Sequence, residues 1–390
     1  MKKSVTTGMS RNVTQNVLQN DMWRAKIPIL LLVLIFCILL LGCGCSNLAD
    51  GSSGALSFKK ADKNELSIVS WNLQTFFDAL DTGTEYEEFT GKKSKWTEEK
   101  YKDRIEKLCI FMKAMNADIF CFMEVESTAV VQDIANTLQI GISGMEWPYV
   151  CFAREEGACL GCAVFSRYKP ESFTTHITNC KVAVQTEAFS GFSAGELLVK
   201  PAMRPLMEIR FSFSSKQAVK ASQNAENAGA GGESATGDRK LALFVVHWKS
   251  KSGGAKESEV WRNCQEAVLA GRIESALADG CSVVACGDFN KELSEFKYSK
   301  MTGYVDLKGS FSTVTVKSPW FSSKEEGSYF YNEAWNRIDH FFLAGGSQLI
   351  SFKVVTMGEH VTSGGLPYCY DVWSGRGYSD HLPLLCRLML

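Results

Sequence analysis

The sequence predicts a mixed α/β protein built as one large domain. Three observations point there. From Leu66 onward, short apolar runs of strand length alternate with longer stretches of helical period, the pattern of helices layered on a sheet. The composition, 45% hydrophobic and 22% charged over 390 residues, gives room for a large buried core and excludes a fibrous or wholly disordered chain. No internal repeat and no second domain interrupt the alternation.

The N-terminal segment stands outside that fold. Arg24 and Lys26 precede an apolar run from Ile27 to Gly42 that ends in small residues and cysteines, the layout of an export signal. Leu40-Leu41-Gly42-Cys43 resembles the lipobox of bacterial lipoproteins, in which cleavage before the cysteine leaves a lipidated N-terminus. The resemblance implies a signal over residues 1–42 and a lipid on Cys43. The alternative is an uncleaved anchor helix, because the run is only slightly shorter than the ~18 to 20 apolar residues of a full span. Both readings tether an exported protein to a membrane from outside the cytoplasm. The polar stretch before Arg24 is long for a signal, and Met22 makes a more typical start. Residues 43–63 read as a polar tether, and 64–390 as the folded domain.

Within the domain, Leu66–Ser70, Asp118–Met123, Leu241–Val246 and Ser282–Cys286 are short aliphatic or aromatic runs, as buried strands are. Between the first two, Tyr101, Ile105, Leu108, Met112 and Met115 recur at helical spacing, which predicts a helix from Thr97 to Asn116 packed on a sheet. A second helix is predicted from Glu257 to Ala278, with Val260, Cys264, Ala267 and Val268 on one face. The stretch Ser214–Arg239 is built from small and polar residues with too little to bury to offset its ordering entropy. It is predicted to be a mobile insertion, an expanded hairpin connection between Pro205–Phe213 and Leu241–His247.

Charge and cysteines bound the chemistry. A net charge of -1 gives no whole-molecule field for an anionic partner, so an anionic substrate has to be met by a local patch. Fourteen cysteines in an exported chain suggest disulfides, but Cys109, Cys121, Cys162 and Cys286 lie inside apolar helix or strand patterns, where cysteine acts as a small buried hydrophobe. No disulfide is assigned, and the lone Cys159-Leu-Gly-Cys162 lacks the partners of a zinc site.

One pattern repeats along the domain: an apolar strand ends and a carboxylate, amide or imidazole follows at once. The run 67–71 leads into Asn72, 119–123 into Glu124, 244–246 into His247, and 283–287 into Asp288 and Asn290. Strand ends converge on one rim of a sheet, where binding sites collect. Taken singly, each such residue reads equally as a turn former or cap. Gly287-Asp-Phe-Asn290 says more, because side chains two apart on an extended segment share a side and Gly287 permits close backbone approach. Tyr378-Ser-Asp-His381 sets an acid beside an imidazole just before the apolar run 382–385, and Asp339 and His340 follow Arg337-Ile338 in the same way.

Trp71-Asn72, Met123-Glu124-Val125, His247-Trp-Lys-Ser250, Gly287-Asp-Phe-Asn290, Arg337-Ile-Asp-His340 and Ser379-Asp-His381 together resemble, in order, the motifs of the endonuclease/exonuclease/phosphatase superfamily. That group includes deoxyribonuclease I, exonuclease III, abasic-site endonucleases and neutral sphingomyelinases. The resemblance runs from Leu66 to Leu390, and departs at Met123, where the family usually has Gln. It implies a four-layer α/β sandwich, two mixed β-sheets face to face with helices outside, and a hydrolase of phosphodiester bonds. It also implies that Asn72 and Glu124, with Asp380 nearby, hold Mg²⁺ or Mn²⁺, whose preference for hard oxygen ligands fits these side chains. Asp288, helped by Asn290, would orient or deprotonate the attacking water. Asp339 would pair with His381 and favour its imidazolium, which meets the phosphoryl oxygen. His247 would stabilise or protonate the leaving oxygen.

Arg204 matches a phosphate-touching position of the family, and Lys249 and Lys251 flank the His247 loop as a basic lip. The aromatic segment Trp320, Phe321, Tyr329, Phe330, Tyr331 and Trp335 reads first as packing. The substrate expected is nucleic acid, cut by a monomer. The alternatives are a sphingomyelinase-type phospholipase, with Trp320-Phe321 as its lipid-entering element, an inositol or small-molecule phosphatase, and a non-enzymatic surface adhesin.

Overall fold

The computed structural model describes residues 65–139, 146–178, 203–213, 238–252 and 254–390, together with the backbone of 13–19. The backbone of 13–19 falls within the segment read as a signal and pairs with the strand at Tyr149–Glu155, whereas the rest of that segment, Cys43, the tether and residues 214–237 of the insertion lie outside the described residues.

Two mixed sheets pack face to face. The first contains, in spatial order, β1 (Val13–Gln19), β4 (Tyr149–Glu155), β5 (Gly161–Ser166), β3 (Ile119–Val125), β2 (Glu65–Phe76), β17 (Leu384–Met389) and β16 (Gln348–Val354). The second contains β10 (Lys297–Tyr298), β11 (Tyr304–Lys308), β12 (Thr313–Lys317), β15 (Asp339–Ala344), β9 (Ser282–Asp288), β8 (Arg239–His247), β7 (Leu206–Phe213) and β6 (Ser172–His176). A separate hairpin, β13 (Tyr329–Tyr331) and β14 (Ala334–Asn336), stands beside them. Each sheet has one parallel pair, β2 with β3 and β8 with β9, each joined through a helix. A parallel pair needs such a crossover.

Helix α1 (Glu98–Met115) makes the first crossover. Thr97 caps it by accepting from the Lys100 amide, and Asn116 ends it in the left-handed region. With α2 (Thr128–Gln139) it covers the outer face of the first sheet, burying Ile105, Leu108 and Met112 against Trp71, Phe120 and Phe122. The inner face carries Ile68, Cys121 and Met123 into a core shared with Leu243, Val245, Val284 and Cys286 of the second sheet. Helix α3 (Ala255–Ala278) covers the outer side of that sheet.

The predicted strands and both predicted helices are present, and β7 and β8 pair as the expected antiparallel hairpin, Phe213 opposite Arg239. The buried face of α3 differs from the one predicted. It centres on Trp261, Cys264, Gln265, Leu269 and Ile273, so that of the four predicted residues Cys264 is buried while Val260, Ala267 and Val268 lie half-buried at its margins. The cause is polar. Arg262 donates to the Lys249 carbonyl, Gln265 accepts from the Lys249 amide, and Glu266 pairs with Lys291. A period read from apolar residues alone misses a helix that buries charged groups to hold a loop. The four strand and helix cysteines are buried thiols, as expected.

Candidate active site

The site lies where the inner faces of the two sheets end. On β2, Leu66 and Ile68 point into the shared core, and Asn72 keeps that parity while Val69 and Trp71 face α1. On β3 strict alternation would send Glu124 outward with Phe120 and Phe122. A register shift between Met123 and Val125 and a left-handed φ of 64° at Glu124 turn it inward instead. Non-glycine residues in that region cost on the order of 1 kcal/mol or more and recur at functional sites. Across the sandwich, His247, Asp288 and Asp339 sit in register on β8, β9 and β15. Gly287, with φ 136°, has to be glycine: a Cβ there would meet the Val246 carbonyl oxygen at 2.0 Å.

These ends converge. The Asn72 amide donates to Glu124 Oε1 (3.2 Å) and to Asp288 Oδ2 (3.0 Å), joining the two sheets through one side chain. His247 Nε2 lies 3.7 Å from Glu124 Oε1 and 3.6 Å from Asp288 Oδ2. His381 Nδ1 donates to Asp339 Oδ2 (2.8 Å), and its Nε2 is 4.0 Å from Asp380 Oδ1. Ligand atoms of Asp288, Asp339 and His381 fall within 4.8 Å of one another. The Asn290 amide N–H donates to Asp288 Oδ1, while its side chain donates to the Trp248 carbonyl. All eight residues that the sequence singled out as catalytic or metal-binding therefore meet at one place.

The electrostatics divide the imidazoles. Burial opposes charge on His381, but Asp339, Asp380 and Asp288 outweigh it and hold the pKa well above the usual value. Burial, then Arg204, His381 and Lys249, push His247 well below its usual value, so it is a neutral ring that offers a hydrogen bond rather than a full charge. Burial and the neighbouring Asp339 raise Asp288 to about 7, against the opposing pull of His381, the Asn290 amide and Asn72. A carboxylate near neutrality suits a general base.

Donor chemistry fits a hard divalent ion at Glu124. Its carboxylate is partly exposed, and burial, then the nearby Glu124, raise the pKa of Asp380 against the pull of His381. Asp339 Oδ1 and His247 Nδ1 are buried with no hydrogen-bond partner, a sign of polar capacity left for a ligand. The Asn72 oxygen accepts from the Gln74 amide, so this residue acts on the site first as a bridge between carboxylates.

Arg204 is half-buried, acts electrostatically on His247 and Lys249, and among the described residues pairs with no carboxylate. Lys249 is half-buried beside it, with its ammonium donating to the Ser250 carbonyl. Lys251 does not belong to a basic lip: it is neutralised by Glu295 at 2.6 Å. Trp320 is not a lipid-entering residue either, being buried with its indole N–H donating to the Asp339 carbonyl.

Several supporting residues escaped the sequence reading. The guanidinium of Arg104, wholly buried, donates to the carbonyls of Leu73, Gln74 and Thr75 and lies between the rings of Phe76 and Tyr370. It thereby fixes a left-handed pair, Gln74 and Thr75, whose amides donate to Asn72 Oδ1 and to Glu124 Oε2. The Gln74 side chain clasps the backbone of Tyr370, tying this turn to the excursion that carries Asp380. Ser328 donates to Asp339, Ser379 donates to the Asn72 carbonyl, and Tyr329 stacks on His381 at 4.5 Å. A helical arginine among glutamates and lysines carries no sequence signal of this kind.

A family model described as the endonuclease/exonuclease/phosphatase family matches residues 69–381. No curated protein matches the chain. Among solved structures, TDP2 from Caenorhabditis elegans is similar at 14% identity over 84% of this chain and 74% of that one, with a TM-score of 0.48. D. rerio TDP2 complexed with single strand DNA product gives 18% identity over 84% and 100%, with a TM-score of 0.48. An endonuclease/exonuclease/phosphatase from Bacteroides vulgatus gives 13% identity over 84% and 100%, with a TM-score of 0.47.

Proposed function

The chain belongs to the endonuclease/exonuclease/phosphatase family, and from that premise we propose that it hydrolyses phosphodiester bonds of nucleic acid with a divalent metal ion, Mg²⁺ or Mn²⁺. The observation that carries the chemistry is the joining of Glu124 and Asp288 through the Asn72 amide beside the Asp339–His381 pair.

Glu124 and Asp380, with Asn72, would hold the ion, which when bound supplies Lewis-acid polarisation of a phosphoryl oxygen. Asp288, kept in place by the Asn290 amide and Asn72, accepts the proton of the attacking water at its carboxylate. His381, charged by its acid neighbours, donates from Nε2 to a phosphoryl oxygen, where negative charge grows as the water attacks. Neutral His247 offers a hydrogen bond to the leaving oxygen. A positioned acid or base is worth about 10² to 10⁴ in rate, well short of what phosphate ester hydrolysis needs, so the groups have to act together.

Nucleic acid is favoured by Arg204, a half-buried cation with no carboxylate partner among the described residues, and by the burial of Trp320, which removes half of the only lipid-entering element the sequence offers. We further propose that the enzyme is exported and anchored by lipid on Cys43 and works as a monomer. The test is metal-dependent turnover of plasmid DNA, oligonucleotides, sphingomyelin vesicles and inositol phosphates by one preparation, with His247→Ala as contamination control. Glu124→Ala is expected to abolish turnover with the circular dichroism unchanged. Full activity in excess chelator refutes the metal, and robust vesicle hydrolysis with negligible nicking of DNA refutes the substrate.

A further inference from the structure

Beside the catalytic imidazole stands a column of rings that the chemistry above does not use. The β13–β14 hairpin closes through Asn332 and Glu333, both left-handed (φ 48° and 61°), the two-residue turn that holds a hairpin in fixed register. The pleat puts Tyr329 and Tyr331 on one face and Phe330 on the other. Phe330 packs edge-on against Trp335 at 5.2 Å, and Trp335 packs on the main core, so that face has a structural role.

The opposite face does not. Tyr329 lies on the His381 ring at 4.5 Å and 28°, and its backbone bridges that of His381. Tyr331 lies on Tyr329 at 5.9 Å and 11°, yet is 58% exposed and meets no other aromatic ring among the described residues. Burial does not account for it. The column begins at an imidazole beside the reacting phosphate and ends on a flat aromatic surface turned to water. The backbone is held on both sides, since Ser328 accepts from the Leu382 amide and its own amide donates to Asn336.

We propose that Tyr331, backed by Tyr329, is a stacking platform for an unpaired base of the strand whose phosphate sits at His381. This rests on the nucleic-acid reading and narrows it. Every base has a π-face, so one aromatic ring binds bases without regard to sequence. A base inside a duplex has both faces covered by its neighbours. The platform therefore selects single strands, frayed ends or extruded bases, and discriminates against an intact duplex.

The experiment compares kcat/KM for a single-stranded oligonucleotide, the same strand in a duplex, and a strand whose bases are replaced by abasic tetrahydrofuran sites. Wild type is expected to prefer the base-containing single strand over both others. In Tyr331→Ala that preference over the abasic strand falls about tenfold, within the range that one base–aromatic stack is worth, and Tyr331→Trp retains it. A 2-aminopurine reporter is quenched on binding to wild type and not on binding to Tyr331→Ala. Equal losses on base-containing and abasic strands would make Tyr331 a structural residue and overturn the platform, as would an unchanged ratio. If wild type cuts plasmid and oligonucleotides but prefers neither form, the platform fails and the nuclease reading stands. If wild type cuts no nucleic acid, both fall.

Discussion

Replacing Asp339 by Asn tests the electrostatics of the site with little change in shape. Asn keeps an oxygen for the His381 Nδ1–H and an acceptor for Ser328, so the ring stays oriented while its partner charge is gone. At 2.8 Å and an effective dielectric of about 20, the lost attraction is about 6 kcal/mol, an upper figure because Asp380 and Asp288 still favour the imidazolium. Burial then pulls the other way with less to oppose it. Folding raises the His381 pKa, so weakening its partner makes the cation disappear at lower pH, and the alkaline limb of the rate profile moves acidward. At pH 7.5 kcat should fall by about 10² to 10⁴, with part of the loss recovered toward pH 6. The measurements are steady-state hydrolysis across pH and NMR titration of the His381 ring. An unchanged alkaline limb together with an unchanged ring titration would refute the role given to this pair.

Other outcomes follow from the same geometry. Arg104→Lys or Gln74→Ala should weaken Mn²⁺ binding, followed by electron paramagnetic resonance, by about 10- to 100-fold, since each holds a backbone that orients Asn72 and Glu124; unchanged binding in both would leave the turn a purely structural feature. Glu208, opposed by its burial but bonded by His176, Arg272 and Arg210, has a pKa held near 2, so its stabilisation is complete above ~pH 4.5 and lost as pH falls toward 2. In urea titrations Glu208→Gln should cost about 2 to 3 kcal/mol at pH 7 and under about 1 kcal/mol near pH 2.5, and a pH-independent cost would count against the ion pairs. Cys43→Ser should release the protein from membranes or block its processing; mass spectrometry finding an unmodified Cys43 at the N-terminus of a soluble, cleaved protein rejects the anchor.

The sequence made the framework legible because strands declare themselves through apolar runs and this family's polar groups sit directly at their ends. Asn72, His247 and Asp288 follow strand parity, so a reader of alternation finds them. Glu124 breaks it and is found by its place at the end of an apolar run, while the turn that brings it inward stays hidden, because a register shift is a property of pairing rather than of local composition. Arg104 was hidden for a related reason: its acceptors are carbonyls, which every residue possesses. The buried face of α3 misled because hydrophobic periodicity gives no weight to polar residues that are buried by being hydrogen-bonded. The aromatic segment divided as its pleat dictates, with Phe330 and Trp335 packing and Tyr331 left facing water.

The Asn72 amide spans the seam between two sheets, with one carboxylate partner on each side. The site is thus a joint, and neither half of the sandwich possesses it alone. Slight parting of the layers on warming would separate Glu124 from Asp288 while leaving every strand paired with its neighbours. Catalysis should then fade before circular dichroism reports any melting, and hydrolysis becomes a sensitive gauge of how tightly the layers are closed.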